Sequence, residues 1–175
     1  TPYQRTTFML TTDTYTVENV WEEKPEALKE EIIDFWLEER ALGSREQAEK
    51  RVNEVVFVAR DSFGEIAGIC TAYPQQNLQL RHNFYHYRTF VAAAHRKGMI
   101  GIRLLVEARD YFNGRFTQGH NPDIIGIILE IENKEISRRF TEAIWSQTGF
   151  IFIGYNHRND HVRVYYFDEA HINPG

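Results

Sequence analysis

The stretch Phe90-Val-Ala-Ala-Ala-His-Arg-Lys-Gly-Met-Ile-Gly-Ile-Arg-Leu-Leu105 constrains this chain more than any other. A β-friendly run ends, a basic turn containing glycine follows, and a helical pattern begins. At such a junction unpaired backbone N–H groups and the positive end of a helix converge on one point. An anion, above all a phosphate, fits there. Gly98 and Gly101 permit close approach of a ligand to the backbone, and Arg96 and Lys97 add formal positive charge. Turns with Gly and Lys between a strand and a helix are common, and many only punctuate structure. The rest of the chain therefore has to decide what this one does.

The surrounding pattern predicts a mixed α/β domain. Strands are expected at Tyr15–Trp21, Val55–Arg60, Glu65–Tyr73, Phe84–Ala92, Ile124–Ile131, Phe150–Tyr155 and Val162–Phe167, from β-branched and aromatic runs bounded by turn residues. Pro25 stands at a plausible first helical position, and Leu28, Ile32, Phe35, Trp36 and Leu37 follow at helical spacing up to Gly43. Ser44 is set to cap a second helix to about Arg51, with Gln47 at the capping-box position. Gly98–Asn113 reads as a third helix, with Leu104, Leu105, Ala108 and Tyr111/Phe112 on its buried face. Asn133–Thr148 reads as a fourth, with Ile136, Phe140 and Ile144 on one stripe. The expected order is β-α-α-β-β-β-α-β-α-β-β, with about seven strands.

At 175 residues the chain suits one domain, residues 15–175, preceded by a polar, Thr-rich segment over residues 1–14 read as an arm or trimmed terminus. A chain of this size needs no disulfide or metal staple. A lone cysteine, Cys70, excludes an intramolecular disulfide framework and a Cys-rich zinc site, and in mid-strand it reads as a small buried hydrophobe. No membrane span or signal-peptide core is visible, so a soluble, cytoplasmic protein is the expectation. The net charge of −5 is unevenly spread. Residues 22–54 carry eleven acidic and six basic side chains, whereas residues 75–106 carry five basic side chains and no acid. Overall acidity argues against a nucleic-acid partner.

At the junction the chain resembles the GNAT superfamily of CoA-dependent N-acyltransferases, whose pattern there is Arg/Gln-x-x-Gly-x-Gly/Ala. Arg96 fits the first position and Gly101 the last, and Ile100-Gly101-x-x-Leu104-Leu105 continues in register. Met99 stands at the first glycine position, a departure, with Gly98 beside it. Val55–Gly68 is similar to the second and third strands of the family with their hairpin, and Asn133-x-x-Ile136-x-x-x-Phe140 with Gly149-Phe150 to its Asn-to-Gly-Phe segment. The similarity spans roughly residues 15–168.

The resemblance implies a GNAT-like, mainly antiparallel twisted sheet in which the strands carrying Val91 and Leu129 splay to admit a pantetheine arm. The pyrophosphate would lie on Arg96, Lys97, Gly98, Met99, Ile100 and Gly101. Asn133 and Phe140 are further residues of the cofactor side, and a backbone N–H near Val91 would polarise the thioester carbonyl. The implied activity is transfer of an acetyl group from acetyl-CoA to a primary amine by direct attack, with no metal.

Many relatives carry a Tyr acid on the last long helix; the corresponding positions here hold Phe140 and Trp145. Where relatives place a Glu or His on the strand before the Arg, this chain has Tyr87 and Tyr85, on one strand face with Val91. Either tyrosine could order a water that takes the amine proton, or could re-protonate the thiolate; both could equally be aromatic packing. His86 points to the opposite face. His157, Asp160 and His161 have metal-like spacing but fall in an expected hairpin turn. Glu132 could face the acceptor cleft or solvent.

The acidic helices would line one lip of the acceptor cleft. Glu30, Glu31 and Asp34 are therefore candidate contacts to a cationic acceptor, either a small-molecule amine or a peptide amine. Monomer and homodimer both stay open. The alternative is a non-catalytic CoA- or ligand-binding module that keeps the fold. A third option is an interaction domain bearing an exposed Trp21, Trp36 or Trp145 patch.

Overall fold

The computed structural model describes residues 14–175. The arm expected over residues 1–14 therefore lies, but for Thr14, outside the described residues. The elements are β1 (Thr16–Asn19), α1 (Glu26–Glu38), α2 (Arg45–Arg51), β2 (Val55–Arg60), β3 (Ile66–Asn77), β4 (His82–Val91), α3 (Ile100–Thr117), β5 (Ile124–Ile131), α4 (Lys134–Arg139), β6 (Ile144–Trp145), β7 (Phe150–Tyr155) and β8 (His161–Tyr166).

The strands form one sheet in the order β1-β2-β3-β4-β5-β8-β7-β6. Its pairs are antiparallel except β4 with β5, which run parallel. A parallel pair needs a crossover, and α3 supplies it. On one face, α3 buries Ile100, Leu104, Leu105, Ala108 and Phe112 against Val56, Cys70, Tyr85, Tyr87, Ile127 and Leu129. On the other, α1 and α2 bury Ile32, Ile33, Phe35, Trp36 and Ala48 against Val55, Val58 and Ile69. Each large apolar side chain so buried contributes about 1.5–3 kcal/mol.

Local chemistry accounts for most boundaries. Pro25 is the N-cap of α1, one position outside the helix. Ser44 caps α2 by accepting from the Gln47 amide at 3.2 Å, while the Gln47 side chain accepts from the Gly43 amide, one residue outside the reciprocal capping-box bond. In the β2–β3 turn, Asp61 accepts from the amides of Phe63 and Glu65, and Gly64 takes the left-handed conformation, φ 81°, that a side chain would resist.

The fourth helix departs from expectation. It ends at Arg139 instead of running to Thr148, and the chain goes on to form β6, an eighth strand at the sheet edge. Arg163, 1 % exposed on β8, is the reason. Its guanidinium donates to the carbonyls of Phe140 (3.2 Å) and Ala143 (3.3 Å) and sits 3.9 Å above the Trp145 ring. Those carbonyls satisfy a buried charge outside a helix, and Ile136, Phe140 and Ile144 stay partly exposed instead of forming a buried stripe.

Candidate active site

β4 and β5 are paired from Asn83↔Ile124 as far as Tyr87↔Leu129. Both strands then continue, β4 to Val91 and β5 to Ile131, without pairing further. The other edge of β4 stays paired with β3 up to Gly68↔Val91, and the Ala92 amide donates to the Ala67 carbonyl. Strand alternation then turns the peptide groups of Thr89 and Val91 toward the opening.

A cleft of about 740 Å³ occupies this gap. Gly101, Ile102, Leu105 and Thr148 line it on the α3 face; Trp36, Leu42, Arg51, Arg88 and Phe90 line it on the α1/α2 face; and Glu130, Glu132, Asn133, Phe140 and Trp145 close one side. Because residues of both sheet faces contribute, the cleft passes through the sheet.

On the α3 face, the first backbone acceptor inside the helix, the Met99 carbonyl, is used by Arg103. The amides of the first turn have no acceptor among the described residues, which leaves an anion-binding end. Met99 is the N-cap at φ −93° and needs no glycine there. A Cβ on Gly101 would meet only Val91 Cγ2, at 3.9 Å. The fold therefore tolerates a side chain at 101, and its absence leaves room in the cleft. Arg96 and Lys97 are exposed in the turn before the helix. The Arg96 Nε–H donates to the Val91 carbonyl at 3.1 Å, with its guanidinium 5.5 Å from the Phe90 ring centroid. Ile100 is buried beneath the turn.

Of the residues expected at the site, Tyr87, Gly101, Asn133 and Phe140 line the cleft, with Val91 beside Gly101. Asn133 caps α4 through its side-chain oxygen, which accepts from the Glu135 and Ile136 amides. Tyr87 is buried, and its hydroxyl is shut off from solvent beside Thr89 and Cys70. Burial, and then the neighbouring Cys70, push its pKa well above the usual tyrosine range. Tyr85 is placed elsewhere. Its ring stacks on Phe112 at 4.1 Å and meets Trp21 edge-on, inside the core. Burial pushes the Cys70 thiol up to about 12, which leaves it a poor nucleophile.

Glu30, Glu31 and Asp34 do not reach this cleft. Arg45 holds Glu30 at 2.5 Å and Asp34 at 3.7 Å, and Arg60 holds Glu31 at 2.5 Å, all on the outer surface. Glu132 does line the cleft, and with Glu130 it is held by Arg158. Asp160 is occupied by Lys134, Asn156 and Arg158, and His161 packs against Phe152 and Tyr155. Trp36 is buried and Trp21 and Trp145 are half-buried, so they form no exposed patch.

Arg51, Thr71, Arg88 and Glu130 also line the cleft and were not singled out from the sequence. Period-two alternation puts Thr71 on a face with Ile69 and Tyr73, and Arg88 on a face with His86 and Phe90. That signal was legible for each strand, but not their meeting.

No protein-family model matches the sequence, and no curated protein matches it. Solved structures do match. A GNAT-family acetyltransferase from Streptococcus pneumoniae superposes with a TM-score of 0.61 at 14% identity, covering 89% of this chain and 100% of the other. The ribosomal-protein-S5-alanine acetyltransferase of Vibrio fischeri superposes with 0.61 at 14% identity, covering 90% and 96%. A GNAT-family acetyltransferase from Brucella melitensis, solved in complex with acetyl-CoA, superposes with 0.55 at 16% identity, covering 91% and 92%. Over about nine-tenths of its length, the chain has the fold of the GNAT acetyltransferases.

Proposed function

We propose that this protein is an acyl-CoA-dependent N-acyltransferase that transfers an acetyl group from acetyl-CoA to a primary amine. The observation that carries the reading is the cleft through the sheet, lined by residues of both faces, with an uncapped helix end on one of them. The fold shared with an acetyltransferase solved with acetyl-CoA supports the choice of donor.

In this reading the first-turn amides of α3, with Arg96 and Lys97, hold the pyrophosphate. The gap between β4 and β5 takes the pantetheine arm, and a peptide N–H of Thr89 or Val91 donates to the thioester carbonyl, where negative charge develops. The amine nitrogen, entering neutral from the α1/α2 face, attacks the carbonyl carbon. A C–N bond forms, the C–S bond breaks, and the sulfur leaves as a thiolate. Glu130, which lines the cleft, takes the amine proton directly or through water. The Tyr87 hydroxyl, held protonated by its burial, donates a hydrogen bond to the sulfur, and the proton taken by Glu130 passes through water to the thiolate, giving the thiol and restoring the carboxylate. No covalent enzyme intermediate is needed, in keeping with the buried Cys70.

The second reading, a CoA-binding module without turnover, draws on Phe140 and Trp145, neither of which can donate a proton to the leaving sulfur. Titration calorimetry with acetyl-CoA, followed by a thiol-release assay over a panel of amines, separates the two. Binding with release supports the transferase, binding without release across the panel supports the module, and absence of binding defeats both.

A further inference from the structure

The α1/α2 side of the cleft carries hydrogen-bond donors that the protein leaves unused. Thr71 is 3 % exposed, lines the cleft, and its Oγ1 has no hydrogen-bond partner. Directly across the ladder from it is Arg88. One guanidinium nitrogen of Arg88 donates to Glu54 at 2.6 Å, and the group sits 4.8 Å from the Tyr73 ring centroid. Its Nε–H, although buried, has no partner. The third group is Arg51, at the end of α2, which lines the same cleft and whose side chain makes no hydrogen bond or ion pair among the described residues. Its neighbour Lys50 is paired with Glu46, so a basic residue is not left single merely because it closes a helix.

A buried polar group without a partner costs about 1–3 kcal/mol, and two like charges side by side add to the strain. Burial and the charge of Arg88 both lower the Arg51 pKa, although a guanidinium stays protonated at neutral pH. Glu54 and Glu132 act against that repulsion on Arg51, but neither takes a hydrogen bond from it, so its donors stay free for a ligand. These groups sit on the opposite face of the sheet from the α3 end, so they are not part of the pyrophosphate site.

We infer that the acceptor is an amine that also bears a carboxylate, which Arg51, the Arg88 Nε–H and the Thr71 hydroxyl bind on the α1/α2 side of the cleft. This rests on the acyl-transfer reading of the same cleft and names its substrate class. Two oxygens of one carboxylate satisfy the fork of Arg51 and a second donor together. Glu130 and Glu132, on the neighbouring wall, then face the amine end of such a zwitterion. Glu30, Glu31 and Asp34 of α1 have no part in this, since Arg45 and Arg60 hold them on the outer surface.

The test uses pairs of acceptors that share one amine and differ only in a free carboxylate or its carboxamide, such as amino acids and short peptides with their amides. Acetyl-CoA binding is measured first by calorimetry, which reports on the acyl-transfer reading alone. In thiol release, the carboxylate member of a pair is expected to have at least tenfold the kcat/KM of its carboxamide. Arg51→Gln should raise KM for the carboxylate member at least tenfold while leaving the carboxamide and acetyl-CoA within twofold, with partial recovery in Arg51→Lys. Thr71→Val should act in the same direction with a smaller effect. Carboxamides used as well as carboxylates, or an Arg51→Gln effect equal on both members, would overturn the proposal. If no pair gives thiol release, binding of N-acetyl amino acids and their amides to the protein decides it. A preference for the carboxylate that Arg51→Gln removes upholds it, and no preference refutes it, whether or not acetyl-CoA binds.

Discussion

Tyr87 and Leu129 form the last pair that holds β4 against β5. Every group assigned to the site takes its place from that point. Before it, Tyr85 and Ile127 are packed core; beyond it, the strands part and both sheet faces open into one cleft.

Tyr87 and Tyr85 should separate cleanly in kinetics. Tyr87→Phe removes the hydroxyl assigned to the leaving sulfur and should lower kcat by about 10²-fold, the lower end of what a preorganised hydrogen-bond donor to developing charge contributes, with little change in acetyl-CoA affinity. Tyr85→Phe should leave kcat within about threefold. Equal effects of the two substitutions on thiol release would remove Tyr87 from the mechanism.

Gly101→Ala places a methyl in the cleft next to Val91 without clashing with the protein. Alanine is favoured over glycine in a helix by roughly 0.5–1 kcal/mol, so Tm should hold or rise while acetyl-CoA affinity falls. Scanning calorimetry and titration on one preparation give both numbers. A fall in Tm with unchanged affinity would contradict the placement of Gly101.

Gly126 is a contrasting case. A Cβ there would lie 2.3 Å from the Tyr165 carbonyl oxygen and 3.2 Å from the Phe84 ring. Gly126→Ala should cost at least about 1–3 kcal/mol in urea denaturation, as overpacked cores do, because backbone of a central strand has to move.

The Asp160 carboxylate is held well below the usual range by hydrogen bonds from Lys134, Asn156 and Arg158. Its contribution to stability is complete above the unfolded aspartate pKa of about 3.9 and is lost as pH falls through the lower folded value. Asp160→Asn should therefore destabilise at pH 5–7, and the gap to the unmodified protein should narrow steadily in urea titrations taken from pH 4 downward.

The Cys70 thiol, fully buried and with its pKa pushed up to about 12, should be silent toward an aromatic disulfide reagent at pH 8 in the native protein and react with one equivalent in denaturant. Native-state reaction on the timescale of a thiol-release assay would mean that the β3 core opens.

Features set within a few neighbouring residues were legible in the amino-acid sequence. The Ser44 cap, the Asp61–Gly64 turn, the β-branched strand Ile124–Ile131 and the helix starting near Gly98 depend on capping, turn chemistry and periodicity. The turn at 96–101 could be read as an anion site for the same reason. Tertiary structure decided what depends on partners far along the chain. The stripe Ile136, Phe140, Ile144 suggested a long helix, but Arg163 on another strand captures the Phe140 and Ala143 carbonyls. The acid-rich helix suggested a binding lip, but Arg45 and Arg60 hold Glu30, Asp34 and Glu31 on the outer surface. Arg51, Thr71 and Arg88 carry no motif, and they meet only because two strands and the end of α2 share one face of the sheet. Charge in a sequence shows how much of each sign is present; whether a partner already holds it is settled by packing.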